Sequence, residues 1–83
     1  MRGAEFAISF ALQFLRAVHA FEQMGREPST SDLAEFLKTN FHTIKRYRNI
    51  LEKEGLIVVE PTDRRNIVRL TDKGRCIARC LIT

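Results

Sequence analysis

Cysteine is scarce in this chain: it has two, Cys76 and Cys80. A pair cannot build a disulfide framework. No further Cys/His cluster stands near them to complete a four-ligand zinc site, so neither a metal nor a cofactor is expected. The N-terminus lacks the basic region, apolar run and small-residue cleavage site of a secretory signal. An uninterrupted apolar run is also missing. Residues 6–21 are apolar-rich, but Gln13, Arg16 and His19 interrupt them, which is too short and too polar for a membrane span. There is no Gly-rich phosphate loop, no acid–base pair at motif spacing and no nucleophile elbow, so the sequence gives enzyme chemistry no support. Repeats and low-complexity tracts are absent too. What remains is a single cytosolic, non-enzymatic domain spanning residues 1–83.

A chain of 83 residues buries only a modest fraction of its surface and is marginal alone. With disulfides and metal set aside, a partner subunit is the expected stabiliser. Apolar residues make up 45% of the chain, enough for a globular core. The net charge is +4, and its distribution says more than its size. Residues 1–30 and 31–60 are each balanced, whereas residues 61–83 hold six basic and two acidic side chains. Lys38, Lys45, Arg46 and Arg48 also run without an intervening acid as far as Leu51. Such a basic stripe is the electrostatic footprint of a nucleic-acid binder.

The pattern of elements agrees. Residues 4–24 read as a helix closed by Gly25, with its polar residues in one narrow stripe. Its apolar face is wider than one-sided packing requires, which implies burial against a second copy as well as against its own domain. Phe6, Phe10 and Phe14 are the expected dimer contacts, with Phe21 continuing the ladder. After a turn at Pro28, residues 31–37 read as a second helix facing inward through Leu33, Ala34, Phe36 and Leu37. Asn40 is a good N-cap for a third helix, 41–54, with Ile44, Tyr47 and Leu51 inside and His42, Lys45, Arg46 and Asn49 outside. Gly55 ends it. Strands at 56–60 and 67–70 flank a polar turn carrying Arg64 and Arg65, with Leu56, Val58, Val68 and Leu70 as the inward set. Thr71 can cap a last helix, 72–81, whose expected shared face is Cys76, Ile77, Cys80 and Leu81. The fold class is α+β, mainly α. It comprises a first helix and dimer interface (1–25), a helix-turn-helix (30–55), a hairpin wing (56–70) and a C-terminal helix (71–83).

Three segments carry a family resemblance: SDLAEFL, TIKRYRNILEKEGLI and DRRNIVRLTDKGR. Across residues 30–75 they resemble the winged helix-turn-helix of MarR-like transcriptional regulators. The resemblance implies a recognition helix in the DNA major groove and a wing arginine at the minor groove. By position, the helix contacts would be Asn40, His42, Thr43, Lys45, Arg46 and Asn49, and the wing contacts Arg64 or Arg65, with Asp63 holding the wing arginines in place. Lys38 and Thr39 depart from the usual turn, and Arg48 stands where an inward aliphatic residue is usual. The long C-terminal dimerisation helices of the family do not appear, which argues against a small-molecule effector.

The expected function is therefore a homodimeric regulator that binds double-stranded DNA in the cytoplasm, at the nucleoid, with no membrane partner. Two rivals stay open: a protein–protein adaptor in a transcription or replication assembly, and an RNA-binding wing. Cys76 and Cys80 read either as small buried hydrophobes or as an intersubunit disulfide at the dimer interface. His19 reads as structural.

Overall fold

The structure, a computed structural model, describes residues 7–82, and the side chains of residues 7–80. Four helices and one hairpin follow in order: α1 (Ile8–Gln23), α2 (Thr30–Phe36), α3 (Phe41–Lys53), β1 (Ile57–Pro61), β2 (Asn66–Leu70) and α4 (Asp72–Ile82). This is the expected winged helix-turn-helix. Among the described residues, no helix is long and apolar enough to cross a membrane.

The centre of the molecule is α1. It packs against α4, β2, α2 and α3, and buries Ala11, Phe14, Leu15, Ala17, Val18, His19 and Phe21. Its wide apolar face is thus largely covered by its own chain, because four elements surround it. The width therefore does not by itself require a second copy. Phe14 is 0% exposed, so it has no surface to offer a partner, which corrects its assignment to a dimer interface. Phe10 is half-buried, and Phe6 lies outside the described residues.

A capping box starts α2. The Ser29 hydroxyl accepts the Asp32 N–H at 3.1 Å, and the Asp32 carboxylate accepts the Ser29 N–H at 3.0 Å. Two otherwise orphaned donors are satisfied at once, so the helix begins one residue earlier than the sequence pattern suggests. Leu33 and Ala34 are buried, but Phe36 is 51% exposed, against expectation. Its ring leans edge-on against Phe21 at 5.3 Å. The turn into α3 places Lys38 at φ 56°, in the left-handed region where glycine is usual and a side chain is strained.

Leu56 explains the register of the wing. Its N–H donates to the Leu51 carbonyl and its carbonyl accepts the Thr71 N–H, so it belongs to the turn after α3. Alternation begins at Ile57, which is buried, while Val58 is 47% exposed. This corrects the expected inward set by one residue in β1, whereas Val68 and Leu70 in β2 are buried as expected. The strands pair antiparallel, Ile57 with Leu70 through Pro61 with Asn66. Ile67 and Val68 are both buried. Consecutive strand residues face opposite sides, so β2 is covered on both faces. It is also flanked on its far edge: Ser29 bridges Ile67 and the Val68 N–H donates to the Pro28 carbonyl at 2.9 Å.

The start of α4 is clamped to that same turn. The Thr71 hydroxyl donates to the Gly55 carbonyl at 2.7 Å and accepts the Gly74 N–H at 3.1 Å. Gly74 lies so close to Leu56 that an added Cβ would sit 2.0 Å from its carbonyl oxygen. That approach makes Gly74 and Ala78 the inward face, with Ile77 half-buried. Cys76 and Cys80 are both exposed, so the reading of two buried hydrophobes is corrected; the side chain of Leu81, expected on the same face, lies outside those described.

Candidate nucleic-acid interface

Helix α3 is fixed before it presents anything. Asn40 caps it, its side-chain oxygen accepting the Thr43 N–H at 2.8 Å. Ile44, Tyr47 and Leu51 are buried. The Tyr47 hydroxyl accepts the Ala7 N–H at 2.8 Å, and its ring meets Phe10 edge-on at 4.7 Å. The opposite face is solvent-facing: Phe41, His42, Lys45, Asn49 and Glu52 are exposed. Helical spacing puts Lys45 in the middle of this stripe, with His42 and Asn49 one turn away on either side. Thr43 is half-buried.

Two arginines flank the stripe. Arg46 is half-buried, its guanidinium 5.7 Å from the Tyr47 ring centroid, which suits a cation–π contact. Arg48 lies on the other flank. Its guanidinium donates to the Thr30 hydroxyl at 3.0 Å and to the Asn49 side-chain oxygen at 3.2 Å. The arginine in a position usual for an inward aliphatic residue thus ties α3 to the start of α2. Ile50 is half-buried and lines an apolar groove with Ile8, Leu12, Leu56 and Ile77.

At the wing tip, Thr62 turns the chain by donating its N–H and its hydroxyl to the Arg65 carbonyl, at 2.7 and 3.0 Å. Arg64 is exposed, and among the described residues it has no ion-pair partner. Arg65 pairs with Asp32 at 2.5 Å. Asp32 on α2, rather than the neighbouring Asp63, therefore holds a wing arginine, because the capping box has already fixed its carboxylate. The Ser29 backbone N–H, supported by the Ser29 hydroxyl and Arg65, holds the Asp32 carboxyl below its ordinary pKa.

Between these elements lies a polar cleft of about 300 Å³, lined by Thr30, Ser31, Phe41, Arg64, Arg65 and Asn66 among others. The wing tip, the start of α2 and the first residue of α3 share it. At the base of the wing the charges are internally compensated. Arg69 bridges Glu27 at 2.8 Å and Glu60 at 2.9 Å, and Arg75 bridges Glu22 at 3.3 Å and Asp72 at 3.2 Å. The sequence pattern did not bring out Asp32, Arg48 or Phe41 as parts of this surface. The signal available for Asp32 was its place three residues after a capping serine.

No protein-family model matches the sequence, and no curated protein matches it. Solved structures do. The Archaeoglobus fulgidus protein AF1382 aligns at TM-score 0.83 and 24% identity, over 87% of this chain and 79% of that one. MepR, a transcription regulator of the Staphylococcus aureus multidrug efflux pump MepA, aligns at TM-score 0.78 and 22% identity, over 87% of this chain and 53% of its own. A MepR–DNA complex matches at TM-score 0.74 and 23% identity, over 87% and 52%. Escherichia coli MarR in its reduced form matches at TM-score 0.73 and 18% identity, over 83% and 50%. The chain thus spans about half the length of MepR and MarR. Likeness at these identities establishes architecture, and the architecture is the winged helix-turn-helix of MarR-type regulators.

Proposed function

We propose that this chain binds double-stranded DNA as a transcriptional regulator and does so as a homodimer. The observation that carries the reading is an exposed α3 stripe centred on Lys45, on a helix whose first residue, Phe41, shares one polar cleft with a wing tip bearing Arg64. A helix of this width fits the major groove, and a basic hairpin beside it reaches the adjoining backbone or minor groove. The match to MepR, which is solved in complex with DNA, supports the same reading. His42, Lys45 and Asn49 are the base-facing candidates, joined by Asn40, Thr43 and Arg46 at the margins of the stripe. Arg64 and Arg65 are the wing candidates.

The dimer is proposed to form on the α1–α4 side. Ile8 is 68% exposed there, and the apolar groove near it has a volume of about 390 Å³. The remaining interface candidates are Phe6, Phe10, Cys76 and Cys80. Such a regulator works in the cytoplasm, alongside the nucleoid. Two-fold symmetry places half-sites about 10 bp apart or a multiple of that.

The test is a mobility-shift titration on random-sequence duplex at two salt concentrations, followed by site selection and a molar-mass measurement. Binding that weakens steeply with salt and a mass of two chains are the expected results. Replacing Lys45 by alanine is expected to cost about 1–3 kcal/mol of discrimination if it reads a base. A chain that ignores duplex DNA at every salt concentration and captures a protein instead is an adaptor.

A further inference from the structure

We propose that the two wing-tip arginines have different tasks: Arg64 meets the duplex, whereas Arg65 is a positioning residue that fixes the wing tip against α2. This division rests on the DNA-binding reading above and refines it.

The geometry holds Arg65 at both ends. Its carbonyl accepts two hydrogen bonds from Thr62. Its guanidinium meets Asp32 Oδ2, which also accepts the Ser29 N–H at 3.0 Å. Asp32 cannot swing toward solvent without opening the cap of α2. A solvated ion pair between two loose side chains is weak. This one joins a carboxylate already ordered by the capping box, so less conformational freedom is lost in forming it. The same loop also stitches the base of the wing, through Pro28 to Val68 and Ser29 to Ile67. Wing and helix-turn-helix are therefore tied at two levels, and the Asp32–Arg65 pair is the outer one.

The charge accounting follows from the pairing. Asp32 compensates Arg65, so this arginine adds little to the positive field at the cleft. Arg64 is adjacent, exposed and has no acidic partner among the described residues. Binding to a polyanion releases counterions in proportion to the phosphates neutralised, so the two residues differ in an observable way.

The experiment uses the full chain and three substitutions, Arg64→Ala, Arg65→Ala and Asp32→Asn, with thermal melts confirming that each is folded. Duplex affinity is measured across a salt series. Arg64→Ala is expected to make the logarithmic salt slope shallower by about 1.8, the value for two phosphate contacts, one from each protomer of the dimer. Arg65→Ala is expected to leave the slope as in the parent while lowering the preference for a selected site over random duplex. Arg65→Lys should restore that preference. Asp32→Asn is expected to steepen the slope, because Arg65 is released toward phosphate. Equal slope changes for the two alanine variants overturn the division, as does a change for Arg65→Ala alone or an unaltered slope for Asp32→Asn. A parent protein that binds no duplex at low salt removes the DNA reading itself, and this division with it.

Discussion

The base and the tip of the wing use arginine in opposite ways. At the base, Arg69 sits between Glu27 and Glu60, and Arg75 between Glu22 and Asp72. At the tip, Arg65 has one acidic partner, taken from α2, and Arg64 has none among the described residues. The whole +4 excess belongs formally to residues 61–83, yet the base keeps little of it available to a ligand. Where the acids lie, more than how many bases there are, decides where the field points. The base pairs its arginines for cohesion, and the tip leaves Arg64 exposed.

The contrast can be sharpened most at Gly74. Gly74→Ala drives a methyl into the Leu56 carbonyl, and backbone must move to admit it. The expected loss is about 3 kcal/mol or more, the upper range for overpacking, read from urea unfolding. Arg64→Ala in the same assay should change stability by no more than about 0.5 kcal/mol. If both variants lose stability equally, the base-and-tip distinction fails. Glu22→Ala comes next. It removes one acceptor of the Arg75 guanidinium and, at 3.4 Å, a side-chain acceptor of the Leu70 N–H. A loss of about 1–3 kcal/mol is expected, with duplex affinity unaltered once the variant is folded.

Lys38→Gly tests a site remote from both. Relieving the left-handed strain should raise stability by about 1 kcal/mol, seen as a higher melting temperature. The smallest effect is electrostatic. The folded-state pKa of Asp32 is lowered, so its contribution to stability is present above the unfolded value of about 3.9. It is lost as pH falls through the folded value. A pH series of unfolding curves should therefore show a shallower acid decline for Asp32→Asn than for the parent.

What the sequence disclosed follows from which interactions are local. Asn40 and Gly55 mark the ends of α3 because capping and left-handed termination depend on a few neighbouring residues. The inner face of α3 was legible from helical period alone, and Ile44, Tyr47 and Leu51 are buried as expected. Most of the misreadings involve partners distant in the chain. Val58 looked inward because the turn bonds of Leu56 to Leu51 and Thr71 are invisible in a strand pattern. Cys76 and Cys80 looked inward because nothing local reveals that Gly74 must face Leu56. Phe14 reads as a dimer contact because a wide apolar helix has the same signature whether its own domain or a partner encloses it. The Asp32–Arg65 pair spans 33 residues, beyond the reach of any motif.

The stitch between Val68 and Pro28 has a consequence for how the molecule comes into being. β2 is enclosed between β1 and a loop nearly forty positions upstream, so it cannot settle as an isolated hairpin. Closure of that long loop has to accompany it. The Val68 amide should then exchange its hydrogen with solvent only when the entire domain opens, whereas amides around Asp63 and Arg64 exchange through local fraying. One peptide group, followed by isotope exchange, would report the cooperativity of the whole chain.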